Sequence, residues 1–281
     1  MYAGGYIMIR LALVTLMVAA GCSGEGRVPS PAAKLFAQYT LCSVQNPCIP
    51  EVVITDRDGA EVRRFEVRND EGPCASILDL QWAGEKTIAA ECHGNPSMSS
   101  YLEVDIESGK VVREYRGFGF VRSPHYAKVA HVGWIIHFAP PWVKSEYLQV
   151  GNTIVYPLLP GMKPVDQKPL EMAPEVVKMR GLVYAGVHSF QSKFVWSPDS
   201  RRIGVIDCLV DYRLRDDSPE AFEEGGKAEN LRCFAVAVAL DGTFRRIPIP
   251  PGSHQEFGLI WTDARTLQVT RAGGSVAVQM P

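Results

Sequence analysis

The side chains best suited to metal binding or acid–base chemistry in this 281-residue sequence are three regularly spaced histidines. His125, His131 and His137 recur every six residues. On one continuous strand, six residues at about 3.3 Å each place neighbouring imidazoles about 20 Å apart, which is too far for a shared ion. Only a bend near Gly133 could bring His131 and His137 together. We therefore interpret the histidines as residues of one strand face and predict no metal site.

No catalytic motif accompanies these histidines. The patterns G-x-S-x-G, S-x-x-K and H-E-x-x-H and the P-loop signature do not occur in the sequence. Asp56, Asp58 and Gly59 resemble the start of a calcium-binding loop, but Val67 stands where the loop requires a bidentate glutamate. We expect no metal and no cofactor, and an enzymatic function is the less favoured of two alternatives.

Six of the seven cysteines are predicted to form three disulfides, as suits an oxidising compartment. Two of the pairs flank hairpins: one is equidistant from a turn at Ala83, and the other would close the base of a polar insertion at 211–230. The third pair closes a small loop. A metal site would need C-x-x-C spacing, which the sequence lacks. The predicted pairs are Cys74–Cys92, Cys208–Cys233 and Cys42–Cys48.

The seventh cysteine ends an N-terminal apolar segment. Arg10 precedes an apolar run at residues 11–20, which is far shorter than the roughly 20 residues that span a bilayer and suits a secretory signal. The run ends on Ala19-Ala20-Gly21-Cys22, which resembles a bacterial lipobox, although Ala19 stands where that pattern prefers leucine. An ordinary cleavable signal is the alternative.

This resemblance implies a domain organisation and a location. Residues 1–21 form the signal peptide, Cys22 is lipidated, residues 22–40 form a tether, and residues 41–281 form the folded domain. Ser23 after the lipidated cysteine is consistent with sorting to the outer membrane, facing the periplasm. We expect a lipid-anchored protein of the bacterial cell envelope.

The folded domain contains a hairpin that the other segments repeat. In residues 194–207, Pro198 and Asp199 favour a tight turn, while Val195 before it and Ile203 after it belong to strands with alternating apolar residues. The apolar strand with a tryptophan recurs at intervals of roughly 50 to 65 residues, and a four-stranded propeller blade takes about 40–50. The repeated tryptophans are Trp82, Trp134, Trp196 and Trp261.

Further hairpins lie between the tryptophan hairpins and would supply the outer strands of each unit. They turn at Gly59, Gly109, Gly151 and Gly242, between runs of alternating apolar residues. Glycine tolerates the positive φ that tight hairpin turns require. Both kinds of hairpin predict an all-β chain.

The Trp196-Ser197-Pro198-Asp199 motif resembles the inner hairpin of TolB-like and WD-repeat β-propellers, with Ser200 in place of the usual glycine. The resemblance implies a single β-propeller of four to six blades, with five favoured, built from four-stranded antiparallel blades. It also implies a non-enzymatic protein-binding or assembly module, whose partner would be an envelope protein or peptide. The alternative is a propeller hydrolase or lyase with acids and histidines in the central channel, which a cluster of His with Asp or Glu from different blades would favour.

Charge and surface patterning suggest where a partner could bind. The 29 basic and 31 acidic residues give a net charge of −2, so nucleic acid is not an expected partner. One candidate surface is the acidic insertion after Cys208, and the other is an aromatic segment around residues 142–156. The candidate contact residues are Trp142, Tyr147, Asp211, Asp216 and Asp217.

Overall fold

The computed structural model describes residues 27–40, 48–95, 98–133, 145–156, 183–216, 224, 226–251, 257–271 and 274–281. The chain divides into two compact units. Unit 1 comprises Met1–His93 and Leu102–Arg113, and unit 2 comprises Gly94–Tyr101 and Glu114–Pro281. The described residues contain no helix that is long and apolar enough to cross a membrane.

Unit 1 begins with a four-stranded antiparallel sheet in the order β1-β2-β3-β4, followed by the short pair β5–β6 and then by β7 and β8. Its core includes Val52, Ile54, Trp82 and Ile88. The strands are β1 (Val28–Pro29), β2 (Phe36–Tyr39), β3 (Glu51–Thr55), β4 (Glu61–Glu66), β5 (Arg68–Asn69), β6 (Gly72–Pro73), β7 (Ile77–Trp82) and β8 (Thr87–Asn95).

The first sheet differs from the sequence prediction at its start. Strands β1 and β2 lie within residues 22–40, which the sequence predicts to be a tether, so the folded part includes Val28. Phe36 to Tyr39 forms a strand because it pairs with Val52 to Thr55 of β3 and buries Ala37. Such tertiary pairing, rather than local propensity, decides the state of short segments.

Strands β9 (Met98–Asp105) and β10 (Val111–Arg122) contribute residues to both units. In unit 2, β10, β11, β12 and β13 are antiparallel and hydrogen-bonded in chain order. Here β11 is Val129–Val132, β12 is Leu148–Val150 and β13 is Thr153–Tyr156.

Two further sheets complete unit 2. One has the order β14-β16-β17-β18, with β15 also paired to β16, and the other is the three-stranded sheet β19-β20-β21. Two apolar cores lie within the unit, one of them around Trp196 and Val236 and the other around Trp261 and Leu267. The strands are β14 (Val183–Phe190), β15 (Val195–Trp196), β16 (Arg202–Arg213), β17 (Lys227–Ala239), β18 (Phe244–Ile249), β19 (Gly258–Trp261), β20 (Thr266–Arg271) and β21 (Gly274–Gln279).

The repeated tryptophans share one structural role. Each of the three described tryptophans ends a strand, is at least 92% buried, and donates its indole N–H to a backbone carbonyl outside its own sheet. Trp134 lies outside the described residues. The bonds run from Trp82 to Val28 O at 2.8 Å, from Trp196 to Val121 O at 2.8 Å, and from Trp261 to Val195 O at 3.0 Å.

The central hairpin forms as predicted, between β15 and β16. Ser200 has a φ of 56°, the conformation for which related motifs use glycine. The Ser197 hydroxyl stabilises the turn, because it donates to Asp199 Oδ1 at 2.6 Å and accepts from Arg202 N at 2.9 Å. The four other predicted glycine turns also adopt positive φ, with values of 86°, 70°, 59° and 84° at Gly59, Gly109, Gly151 and Gly242.

Two of the predicted disulfides are present, Cys74–Cys92 and Cys208–Cys233. Cys48 is also disulfide-bonded, whereas Cys42, its predicted partner, lies outside the described residues. The second disulfide does not close the base of a loop at 211–230, because β16 and β17 continue to pair beyond it as far as Arg213 and Lys227. The Cys208–Cys233 disulfide therefore joins β16 and β17 in the middle of their paired region, with hydrogen-bonded residues on both sides of it.

The fold class predicted from the sequence is confirmed. Nearly all regular secondary structure among the described residues is strand, and each sheet is an antiparallel series of strands that are consecutive or nearly so along the chain. The number of blades, four to six, stays a prediction.

Candidate functional site

A buried polar cluster lies in unit 2 between the strands β13, β14 and β16. Asp207 of β16 is fully buried. Its Oδ2 accepts a hydrogen bond from the Tyr156 hydroxyl at 2.6 Å and another from Nδ1 of His188 at 2.7 Å. Because the carboxylate accepts at Nδ1, the proton of neutral His188 is held on that nitrogen, and Nε2 carries the lone pair.

Glu146, just before β12, belongs to the same cluster. Its backbone N–H donates to His188 O at 2.9 Å, and its Oε2 accepts the backbone N–H of Phe190. Burial raises the pKa of Glu146 to about 7; the bond from Phe190 opposes this rise and the charge of Asp207 adds to it. The Ser145 hydroxyl accepts the N–H of His188 at 3.1 Å, so this segment is bonded to β14 at three points.

One atom of the cluster, Asp207 Oδ1, is buried without a hydrogen-bond partner among the described residues. The bond between His188 and Asp207 uses Nδ1, so the second ring nitrogen, Nε2, takes no part in it. Tyr156 is kept neutral, because burial and the charge of Asp207 raise the pKa of its hydroxyl.

A histidine oriented by a buried carboxylate is the arrangement of a general base. In the described ranges, no hydrogen bond is found between His188 Nε2 and a serine, threonine or cysteine that could act as a nucleophile. Those ranges also contain no group of three or more metal-ligating side chains. As it stands, the cluster bonds β13 and the segment before β12 to β14 and β16.

Asp211 is a buried residue of the strand β16, whereas the sequence predicts it in an exposed loop. It is 8% exposed and accepts hydrogen bonds from Gly186 N at 2.8 Å, Asn230 Nδ2 at 3.1 Å and Arg232 Nη2 at 2.8 Å. Because its charge and hydrogen-bonding capacity are used within the sheet, Asp211 stabilises the β16–β17 ladder.

The other predicted contact residues differ in how far they are buried. Tyr147 is 8% exposed and its ring packs against Gly133, so it is an interior residue. Burial also raises the pKa of its hydroxyl. Asp216 is 44% exposed and forms an ion pair with Arg215 at 2.8 Å, which leaves it at the surface. Trp142 and Asp217 lie outside the described residues.

A second feature is the free edge of β21, the last strand of the three-stranded sheet. No described residue pairs with this edge. Strand β21 has the sequence GSVAVQ, without charge or proline. The edge strands β4, EVRRFE, and β18, FRRIPI, carry charges or a proline that discourage the addition of strands, whereas β13, TIVY, and β19, GLIW, resemble β21 in carrying neither. Strand β21 is an edge of the kind that accepts another strand.

The register identifies the backbone groups available at this edge. Met280 N donates to Arg265 O, and with the β20–β21 pairing this makes Val276 and Val278 the residues whose backbone faces β20. The backbone N–H and C=O groups of the alternate residues therefore point away from the sheet. These residues are Ser275, Ala277 and Gln279, and all three are exposed.

An apolar pocket of about 260 Å³ lies beside the first half of β21. Arg271 also lines the pocket. Its guanidinium carbon lies 5.6 Å from the centroid of the Phe257 ring, and its Nη1 donates to Pro250 O at 3.1 Å. The pocket thus combines an apolar lining with one cation. The apolar lining residues are Pro248, Ile249, Pro250, Phe257, Val269 and Val276.

No protein-family model matches this chain, and no curated protein is significantly similar to it in sequence. Among solved structures, it is similar to hydrazine synthase from Kuenenia stuttgartiensis, with 14% identity, a TM-score of 0.42, and coverage of 91% of this chain and 71% of that one. The β-propeller domain of the Trilobed protease from Pyrococcus furiosus gives 14% identity, a TM-score of 0.36, and coverage of 91% and 83%. Acylaminoacyl peptidase from Pyrococcus horikoshii gives 13% identity, a TM-score of 0.38, and coverage of 87% and 34%.

These similarities carry no argument about activity. The strand connectivity itself defines the class of protein: an all-β chain whose antiparallel sheets follow one another in sequence, as the blades of a β-propeller do.

Proposed function

We propose that this chain is a lipid-anchored β-propeller of the bacterial cell envelope that acts as a non-enzymatic protein-binding or assembly module. The observation that carries the binding function is the outer edge of β21, which no described residue pairs with, which has no charge or proline, and which lies beside an apolar pocket. Extended segments of partner proteins add to such edges through main-chain hydrogen bonds. The partner in this proposal is an envelope protein or peptide.

The location in this proposal rests on the lipobox-like Ala19-Ala20-Gly21-Cys22 and on the disulfides, which persist in oxidising compartments. An anchor at Cys22 would hold the protein at the outer membrane, facing the periplasm. The near-neutral charge does not favour nucleic acid as the partner.

Photo-cross-linking in cells tests the binding function. A photoreactive phenylalanine analogue at Gln279, whose backbone faces outward on β21, is expected to form a discrete adduct with another protein. The same analogue at Val62 on β4, an edge residue that is 55% exposed, is the matched control and is expected to form none. Equal labelling from both positions, or no adduct from Gln279, would contradict a binding function located at this edge.

The buried polar cluster favours a second candidate, a hydrolase or lyase. His188 is bonded to the carboxylate of Asp207, and its backbone carbonyl accepts the N–H of a second acidic residue, Glu146, which precedes β12 of a different sheet. In this function His188 Nε2 would act as a general base toward water, a role that contributes about 10²–10⁴-fold to a rate.

A comparison of two histidine variants separates the two candidates. Hydrolysis of p-nitrophenyl acetate by the purified protein should fall by about 10²-fold or more in His188→Gln if the second candidate is correct. His125→Gln, which alters an exposed turn residue, should leave the rate unchanged. The binding function predicts that neither variant differs from the unmodified protein.

A further inference from the structure

We propose that β21 binds an extended antiparallel peptide with the side-chain pattern apolar-x-apolar-x-acidic, where x is a polar residue. This inference rests on the protein-binding function proposed above and specifies the partner. The proposed occupant of the β21 edge is an extended peptide segment of another protein.

The register of β21 dictates the apolar positions of the peptide. A residue directly opposite another on a neighbouring strand projects its side chain to the same face of the sheet. Val276 lines the pocket and Val278 is fully buried, so the peptide residues opposite them face the apolar side. The residue opposite Val276 enters the pocket beside Phe257 and Val269. Residues opposite Ser275 and Ala277 face solvent and are polar.

The acidic position follows from Arg271. Arg271 pairs with Gly274 and lies on the same face as Val269, two residues earlier on β20. The peptide residue opposite Gly274 therefore projects toward the guanidinium, which also lines the pocket. Gly274 has no side chain to occupy the space between them. A carboxylate at that position of the peptide complements the cation, as charge pairs do across recognition interfaces.

The edge can be blocked without disturbing the sheet. The N–H of Ala277 points away from β20, so proline at this position removes an outward donor and no hydrogen bond of the β20–β21 ladder. Ala277→Thr keeps the N–H and favours a strand, and it is the matched control.

Fluorescence anisotropy with a labelled peptide, Thr-Val-Thr-Leu-Thr-Glu-Thr, tests the proposal on the full mature chain. The peptide is expected to bind the unmodified protein and Ala277→Thr with similar affinity, and Ala277→Pro at least about tenfold more weakly, the loss expected when main-chain pairing is blocked. Methylating the peptide backbone nitrogens that face β21 should have the same effect. The comparison of methylated with unmethylated peptide uses the unmodified protein, so it tests the proposal even if Ala277→Pro unfolds the protein.

The pattern itself is tested by changing the peptide. Replacing its leucine with aspartate should abolish binding, since a carboxylate would enter the apolar pocket. Replacing its glutamate with glutamine should weaken binding about two- to fivefold, and Arg271→Gln should remove that difference, as expected for a partly exposed ion pair.

Hydrogen exchange distinguishes the possible occupants of the edge. In the free protein, the amides of Ser275, Ala277 and Gln279 should exchange rapidly, and bound peptide should slow them. Slow exchange in the free protein, or a dimer that Ala277→Pro dissociates, would show that another segment or a second copy occupies the edge, which overturns the proposal. Failure of the peptide to bind while Gln279 still forms an adduct in cells would overturn this inference alone, and loss of both would overturn the binding function as well.

Discussion

Individual side chains in the polar cluster are positioned by hydrogen bonds from several strands. Asp207 holds both His188 and Tyr156, and Glu146 bonds to the backbone of β14. The position of Asp207 has a recognisable sequence signal, because it continues the alternation of Ile203 and Val205 on β16. A charged residue at a core-facing strand position requires a polar partner. The identity of that partner came only from the structure.

Glu146 makes stability depend on pH. Its pKa is raised from 4.5 to about 7, so the folded state binds this proton more tightly than the unfolded state. The free energy of unfolding should therefore fall as the pH rises from 4.5 to about 7. The expected decrease is about 1–3 kcal/mol, since a difference of one pKa unit corresponds to about 1.4 kcal/mol. Glu146→Gln should remove this part of the pH dependence, measured by urea unfolding at several pH values.

Glu107→Gln is the control for this prediction, because the Glu107 side chain is 71% exposed and pairs with Lys86 at the surface. Surface pairs of this kind contribute about 0–1 kcal/mol. If Glu146→Gln retained the same decline in stability toward neutral pH as the unmodified protein, the carboxyl of Glu146 would not be its source.

At the scale of the secondary-structure elements, each tryptophan at the end of a strand forms a hydrogen bond from its indole N–H to a backbone carbonyl outside its own sheet. Trp196→Phe keeps an aromatic ring but removes the donor to Val121 O, which lies in a different sheet. An acceptor left unsatisfied in the interior costs about 1–3 kcal/mol, and we expect a loss of stability in this range. Urea unfolding measures it, and Trp261→Phe should cost a similar amount because it loses the bond to Val195 O. Unchanged stability in both variants would contradict a structural role for the repeated indole bond.

The long strands β16 and β17 are joined by the Cys208–Cys233 disulfide, and these two residues lie directly opposite each other. Their sequence separation is 25 residues, and closing a loop of this size contributes on the order of 3 kcal/mol in the chain-entropy model. The double variant Cys208→Ala with Cys233→Ala should lower the melting temperature and leave the circular dichroism of the strands intact.

Hydrogen exchange should locate the effect of that double variant. The ladder continues past the disulfide to Arg213 and Lys227, so the amides of Asp211 to Arg213 should exchange faster while those near Val205 change little. Non-reducing peptide mapping should find the disulfide in the unmodified protein. Uniform loss of protection along β16 would show that the bond stabilises the whole sheet rather than its far end.

For the whole molecule, the predicted anchor would determine where the protein acts. If the hypothesis is correct, Cys22→Ser should prevent acylation, leave the precursor uncleaved by the lipoprotein signal peptidase, and abolish the proposed attachment of the chain to the membrane. Metabolic labelling with a fatty-acid analogue measures acylation, the size of the protein on a denaturing gel measures cleavage, and fractionation measures attachment to the membrane. Ser23→Thr, which alters the next residue, should still be labelled. Normal processing of Cys22→Ser with release of a soluble protein would contradict the lipoprotein hypothesis.

The sequence by itself determined the strands, the repeated tryptophan hairpin and two of the disulfides that the structure contains. These features depend on local causes: alternation at a period of two, the turn preferences of Gly59 and Pro198, and cysteines brought opposite each other by hairpins. Local rules were wrong at Phe36 to Tyr39, which was expected to be a tether, and at Asp211, which was expected in a loop. In both places a pairing strand supplies the partner groups.

Only the tertiary structure decided the composition of the polar cluster and the availability of the β21 edge. Glu146, Tyr156, His188 and Asp207 come from four separate segments, and no local pattern specifies which strands bring them within hydrogen-bonding distance. The pairing of β21 depends on all the other strands, and among the described residues β20 is the strand that pairs with it. Burial and pairing are properties of the assembled sheets, whereas strand formation is largely encoded in each segment.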